Sequence, residues 1–573
     1  MKNTLFSKMF CPLWVSHFLS VINDSFIRSV FLFTVTYQMT QAGTGFFISA
    51  IILYALFYCG TSLYAGQIAD KISRVRFLRL IRLSEVGLML TALLFVFLEA
   101  RVLLTVILAL MGITGACLRV VNNALLPAVV DKSKLNLGNT WMKTLSVVGA
   151  GCSTLLLMSI LKFDATAEVV CAIAVVFSLI SLGVTMLLKP DEPADPELKL
   201  IYNPWTVVEP VLDSLKHQFD RWAYLVGIAW FWILGMLLLM FSAKYGHDVL
   251  NARWSVVSFL TSGVFTAGYL IGAVIYSRLT RRGNLFSWTV WAGLGVSVFL
   301  IDLIVAGDVA MAMPEVKAIT VHDMLFGGFG YWRIIIDTLA LGCLTAVYII
   351  PFYTMLQKTT PTKLLGRVMA FSSIINAFGI MSALLIVLCF LMLFFDLLHI
   401  LMLFALANIF VAIYMVRLLP VETRRHVFRA IFRHLFKAKI EGLENLKKAG
   451  SRALIVTNHT SYMDVLLISA FIDKKIVFAI NNQLIDKMFV KFMTNLVDVR
   501  PMDPVSPFAI KDMVEELNKD QLCMIFTEGI IEGGHTRMKI YEGPAMMAAK
   551  GNAPIVPIRI DGAAHAVFSR VLG

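Results

Sequence analysis

The sequence predicts a bundle of about twelve membrane-spanning helices in two halves of six, followed by a compact α/β domain outside the membrane. Three observations carry this reading. The chain is 58% hydrophobic and 15% charged and holds 41 Phe, a composition far from that of a soluble domain. Apolar runs of roughly 20 residues, the length that crosses a hydrocarbon core, recur from Cys11 to about Arg417. Beyond Glu422 charges return every few residues, and short apolar runs alternate with helical stretches.

The apolar runs centre near residues 25, 55, 88, 110, 150, 178, 232, 265, 295, 343, 380 and 407. Mixed charge and Pro190, Pro193, Pro196, Pro204 and Pro210 mark residues 189–222 as a linker between halves at about 1–188 and 223–420. The first run carries Asn23 and Asp24 and is too long for a cleavable signal, so it is expected to stay in the mature protein. Every second loop is basic. Lys71, Arg74, Arg76, Arg79 and Arg82 follow the second run, Lys132 and Lys134 the fourth, Arg278, Arg281 and Arg282 the eighth, and Lys358, Lys363 and Arg367 the tenth. Cations retained on the cytoplasmic side place both termini and the α/β domain in the cytosol. The net charge of +13 is then topogenic and needs no nucleic acid. Seven of the eight cysteines lie in apolar runs, none at metal-ligand spacing, so neither a disulfide framework nor a metal site is expected.

Charges inside a span are costly, and each marks a candidate site or gate. Asp24 and Arg28 stand one helical turn apart and can pair on one face. Two readings stay open for them: an internal ion pair, or contact with a polar headgroup in which Asp24 meets an ammonium. Arg119, with Asn122 and Asn123 beside it, is a candidate phosphate contact, and Asp337 is a further candidate. Arg333 reads as a boundary charge. Residues 421–440 form a basic amphipathic segment in which Phe428, Ile431, Phe432, Leu435 and Phe436 share a helical face, as expected of a helix lying on an anionic inner leaflet.

From 441 to 573 the runs Ala453 to Thr457, Ile476 to Ile480, Leu496 to Arg500, Leu522 to Phe526 and Ile555 to Ile560 read as strands. The first delivers Asn458 and His459 onto a loop, and Asp464 falls in the first turn of the next helix. That carboxylate can hold the imidazole in one tautomer, and the imidazole can take a proton from a hydroxyl attacking a thioester.

Motifs in both regions resemble known families. Gly66, Asp70 and Arg74, in GQIADKISR between the second and third runs, resemble the loop signature of the major facilitator superfamily, with a weaker counterpart at Gly272 and Arg278. The carboxylate and cations would lock neighbouring helix ends in one state. NHTSYMD, FTEG and VPI resemble the ordered blocks of the glycerolipid acyltransferases. That resemblance implies catalysis by His459 and Asp464. It also implies glycerol-phosphate binding near Asn458, Glu528 and Gly529 and a phosphate ligand in Arg500. The Glu-Gly block departs from the family in Thr527 and in Ile530-Ile531, and Arg537 or Lys539 is expected to supply the missing cation. The whole chain resembles bacterial fusions of a lysophospholipid transporter with an acyl-glycerophosphoethanolamine acyltransferase. The resemblance implies an inner-membrane protein, a lysophospholipid substrate, acyl-acyl-carrier protein or acyl-coenzyme A as donor and no bound cofactor. Such proteins often continue into an acyl-acyl-carrier-protein ligase, so further sequence is expected beyond Gly573.

Overall fold

The computed structural model describes residues 10–562 apart from 39–40, 99–100, 163–166, 217–218, 281–285, 287, 312–317, 394, 419–420, 460, 462, 475, 482–498, 503–506 and 527–541; at some positions, Arg28 and Arg500 among them, it describes backbone alone. The chain divides at Leu418 into two compact units.

In the first unit six long helices form one half: α1 (Phe10–Gln38), α2 (Gln41–Lys71), α3 (Arg74–Phe97), α4 (Arg101–Val129), α5 (Leu135–Lys162) and α6 (Ala167–Met186). A shorter helix, α7 (Pro204–Lys216), lies in the connection. The second half holds α8 (Phe219–Lys244), α9 (Trp254–Leu279), α10 (Thr289–Met311), the short α11 (Val321–Phe326), α12 (Phe329–Thr359), α13 (Leu365–Met392) and α14 (Leu397–Leu418). Among the described residues, nine helices are long and apolar enough to cross a membrane. Large apolar side chains such as Phe97, Val298 and Phe410 lie exposed on their outer faces, as expected of helices whose solvent is hydrocarbon. The halves meet where α13 lies against α2 and α4, and α5 against α9 and α12.

Three details differ from the sequence expectation. Arg82 is not a loop cation: α3 starts at Arg74, and Arg82 is fully buried two turns inside it. The proline-rich connection is ordered by specific bonds. Asp191 accepts from the Ser73 hydroxyl at 2.8 Å and the Val75 amide at 3.0 Å, and Gln67 exchanges two hydrogen bonds with Ile201. Gly272, like Gly66, is a close-packing residue inside its helix and not part of a loop. A Cβ there would stand 2.1 Å from the Cys343 carbonyl oxygen of α12, and one on Gly268 2.0 Å from that of Leu339. Small residues one turn apart let the two backbones touch, the main source of helix association where the hydrophobic effect is absent.

The second unit is a parallel sheet with helices on both faces. It comprises α15 (Val421–His434), α16 (Leu443–Ala449), β1 (Ala453–Thr457), α17 (Asp464–Phe471), β2 (Ile476–Asn481), β3 (Val499–Met502), α18 (Pro507–Asn518), β4 (Leu522–Phe526), α19 (Gly543–Lys550) and β5 (Ile555–Ile558). The strand order is β3-β2-β4-β1-β5. Side-chain alternation sends Ala453, Ile455 and Met524 toward Leu446, Val465 and Ile468 on one face, and Leu454 and Cys523 toward Met513, Leu517 and Met547 on the other. This double burial explains why the strands read as continuous apolar runs. The apolar face of α15 is partly covered: Phe428 and Phe432 pack against Leu466, Ala470 and Phe471 of α17. Leu435 and Phe436 remain exposed. Half of the stripe expected to meet lipid is thus a docking face for the domain's own helix.

Gly272→Val should separate α9 from α12. The expected result is a lower thermal midpoint in detergent than for Gly183→Val, where a Cβ would meet open space.

Candidate functional site

Parallel β-strands all point their carboxyl ends to one edge of the sheet, and ligands of such sheets bind there. In this unit the motif blocks follow neighbouring strands. Thr457 pairs with Phe526 on one side and Ile558 on the other, so the carboxyl ends of β1, β4 and β5 stand side by side. Asn458 ties two of them together. Its side-chain Nδ2 donates to the Ile560 carbonyl at 2.9 Å and its Oδ1 accepts from the Ile560 amide at 2.8 Å. With both ends of its amide engaged, Asn458 positions the loop that carries His459.

Asp464 begins α17 and is completely buried. Its Oδ2 accepts from the Ser461 amide at 2.8 Å and lies 3.1 Å from His459 Nδ1. An ionised carboxylate fixed by a backbone N–H requires the proton to sit on Nδ1, which leaves Nε2 as the basic nitrogen. The Phe526 ring stacks on the imidazole at 3.9 Å between centroids with 19° between planes. The ring is therefore held at one edge and over one face, while the side chain stays 16% accessible. Sequence reading found His459 and Asp464 but missed Phe526, whose role follows only from the pairing of β1 with β4.

Arg500 lies on β3, paired with Ala479 of β2, so two strands separate it from β1. At about 4.8 Å per strand this is roughly 14 Å across the sheet. Its side chain, and Glu528, Gly529 and Lys539 entirely, lie outside the described residues. Cys523 is fully buried in β4, and burial pushes its thiol up to about 12, so it is no nucleophile at neutral pH.

In the helical unit Asp70 joins the halves. Its carboxylate accepts from the amides of Gly366 at 2.8 Å and Arg367 at 3.1 Å, the first turn of α13, and from Arg367 Nε at 3.2 Å. Arg74 stands 3.6 Å away and donates to the Thr362 carbonyl, while Arg367 also reaches Asp195 at 3.2 Å. Gly66 permits this approach, because a Cβ there would stand 2.7 Å from Ala370 Cβ. Asn139, Gln357 and Asn123 add a second crossing at the same end: Asn139 donates to Gln357 Oε1 at 2.6 Å, and Gln357 to the Asn123 carbonyl at 2.9 Å.

Asn23 belongs to a different cluster. It donates to Glu85 at 3.5 Å, and Glu85 pairs with buried Arg82 at 2.8 Å. Asp24, half-buried on α1, has its expected partner Arg28 outside the described side chains. The Arg119 guanidinium lies over Trp232 at 4.4 Å and Tyr58 at 5.8 Å. Arg333 is more than a boundary charge: it binds Asp302 through Nε at 2.9 Å and through a second nitrogen, beside buried Asp337.

The model of the Major Facilitator Superfamily matches residues 13–381, and the chain belongs to that family. The Acyltransferase family model matches residues 437–561, so an acyltransferase domain is fused to a multi-span transporter of major-facilitator fold. The helical unit is similar to a bacterial homologue of the iron transporter ferroportin in an outward-facing state: TM-score 0.52, 15% identity, 71% of this chain and 98% of that one. It is also similar to the E. coli fucose:proton symporter FucP: TM-score 0.53, 13% identity, 72% and 98% coverage. At such identity the likeness is one of fold. The acyltransferase region is 31% identical over 134 residues to the 1-acyl-sn-glycerol-3-phosphate acyltransferase LPAT1, chloroplastic, of Arabidopsis thaliana, covering 22% of this chain and 36% of that protein. It is 29% identical over 134 residues to BAT2, chloroplastic, of Brassica napus, an enzyme of the same description, covering 22% and 38%. The match thus spans little more than a third of either relative. Acyltransferases of this type use acyl thioester donors without a metal cofactor.

Two outcomes follow. Asp70→Asn keeps an acceptor but loses the charge in bonds worth about 1.5–3 kcal/mol, so the lock should open about tenfold or more often. A cysteine at position 370, fully buried against Gly66 of the other half, should then alkylate faster than the same cysteine with Asp70 intact; an equal rate would show that these bonds do not hold the halves. Asp464→Asn should lower acyl transfer by roughly 10²–10⁴-fold, the range of general-base catalysis, with KM nearly unchanged.

Proposed function

We propose that the chain moves lysophospholipids such as lysophosphatidylethanolamine inward across a bacterial inner membrane and reacylates them on the cytoplasmic side. The observation that carries this reading is the presence in one polypeptide of a major-facilitator bundle and a built His459–Asp464 base beside the carboxyl ends of a parallel sheet. A product of one half is a substrate of the other only if both handle the same amphiphile. The basic loops after the second, fourth, eighth and tenth spans support a cytoplasmic placement of both termini and of the acyltransferase domain.

In this reading the lysophospholipid hydroxyl approaches His459 Nε2. The nitrogen takes its proton as the oxygen attacks the thioester carbonyl of acyl-acyl-carrier protein or acyl-coenzyme A. Asp464 stabilises the imidazolium that forms and holds its orientation. Collapse of the tetrahedral intermediate breaks the carbon–sulfur bond, and the departing thiolate takes the proton back from the imidazolium. No acyl-enzyme is required. Glu528, Gly529, Lys539 and Arg500 are the groups proposed to hold the glycerol-phosphate. Asp24, with the lock of Gly66, Asp70 and Arg74, is proposed to serve transport.

The similarity to two chloroplast 1-acyl-sn-glycerol-3-phosphate acyltransferases favours a second acceptor, 1-acyl-glycerol-3-phosphate, for the acyltransferase half. Proteoliposome assays of the full chain separate the readings. The parent should carry labelled lysophosphatidylethanolamine inward and convert it to the diacyl lipid; His459→Ala should keep transport and lose conversion, and Asp24→Asn should lose transport. No movement by the parent, or reacylation confined to the phosphate monoester, would overturn the proposal.

A further inference from the structure

We propose that Arg119 and Lys143 form a phosphate-binding clamp between the two halves of the bundle, built to take a phosphate-ester anion. The inference rests on the transport reading and deepens it by assigning the headgroup phosphate to two side chains. Arg119 comes from α4 and Lys143 from α5, whereas the surfaces they rest on come from the other half: Trp232 of α8 and Tyr353 of α12. Arg119 lies 4.4 Å over the Trp232 ring, and the Lys143 ammonium lies 3.4 Å over the Tyr353 ring. Trp232 Nε1 donates to the Tyr353 hydroxyl at 3.1 Å, so the two rings form one hydrogen-bonded plate carrying both cations. Tyr58, stacked with Tyr54, extends the aromatic wall beside Arg119.

Lys143 stands eight residues into α5, about 12 Å from the helix end. At that depth an ammonium needs a counter-charge. Three cations of this unit have one: Arg82 has Glu85, Arg333 has Asp302, and Arg367 has Asp70. The contacts of Lys143 among the described residues are the Asn123 side-chain oxygen at 2.9 Å and the Tyr353 face, and neither is an anion. An aromatic face returns only part of the hydration an ammonium loses, and a second cation on the same plate adds repulsion. An anion bridging the two removes both costs. A planar guanidinium fork beside a compact ammonium suits the several oxygens of a phosphate ester, and the aromatic wall suits the apolar part of such a ligand. The Asn123 side chain that holds Lys143 belongs to the residue whose carbonyl receives Gln357, so the clamp sits directly on the contact between halves.

The test uses the full chain in proteoliposomes and nanodiscs. Lys143→Met and Arg119→Gln should each reduce inward movement of labelled lysophosphatidylethanolamine at least tenfold, about 1.4 kcal/mol, and Lys143→Arg should restore most of it. Acylation of lysophosphatidylethanolamine presented in detergent should stay at the parental rate in all three, and an unchanged thermal midpoint in detergent establishes that the bundle itself is folded. Competition of transport by glycerophosphoethanolamine would show that the clamp accepts a free phosphate ester; its failure to compete would show that the lipid form alone is taken. Parental transport in both Lys143→Met and Arg119→Gln would overturn the clamp and leave the transport reading standing. Absence of movement in the parent would overturn the transport reading alone. Calorimetric binding of glycerophosphoethanolamine would then decide the clamp: binding weakened tenfold in Lys143→Met supports it, and equal binding refutes it.

Discussion

Hydrocarbon supplies no hydration, so a charge inside the bundle must find its compensation in the protein or in what the protein binds. That constraint organises the helical unit. Arg82 and Glu85 neutralise each other inside the first half, and Arg333 and Asp302 do so inside the second. Asp70 differs, because its partners lie across the boundary, on the first turn of α13. A pair within one half is indifferent to movement of the halves, whereas a pair across the boundary must break when they part. The position of each partner thus separates contacts within a half from contacts between halves, although the residue types are the same.

In the acyltransferase domain the corresponding constraint is topological. Thr457, Phe526 and Ile558, far apart in sequence, become neighbours because β4, β1 and β5 are adjacent and parallel, so their carboxyl ends open at one edge. Burial on both faces of the sheet keeps these strands in register, since a slip of one residue would exchange the side chains of the two cores. Asn458, bonded twice to Ile560, and Phe526, stacked on His459, then transfer the rigidity of the sheet to the base.

Span length and charge spacing made the twelve long helices legible, as alternating apolar runs did the five strands, because both follow from local periodicity. His459 and Asp464 were legible because they lie in one short motif. What the sequence hid depends on partners far along the chain. Arg82 counted as one more loop cation until Glu85 and the Ser16 carbonyl showed it buried. Arg333 looked like a boundary charge, and its Asp302 partner is 31 residues away on another helix. The setting of Lys143 follows from Asn123 of α4 and Tyr353 of the other half, which its own helix does not reveal. The amphipathic stripe of α15 was read correctly as a stripe, but periodicity does not say whether lipid or protein covers it, and α17 covers half.

Three carboxylates in this chain show how one physical device yields different behaviour. Asp191, Asp70 and Asp464 each accept backbone N–H bonds at or near the start of a helix, where unpaired amides and the helix dipole favour negative charge. Asp191 also takes the Ser73 hydroxyl, and the result is a cap that pins the connection to α3. Asp70 caps a helix of the opposite half, so its bonds last only while the halves stay together at that end. Asp464 sits in its own helix and keeps one oxygen on both the Ser461 amide and His459, so the backbone of the preceding loop helps to fix the orientation of the imidazole. The carboxylate chemistry is constant across the three, and what changes is whether the second partner is a connection, the opposite half or an imidazole.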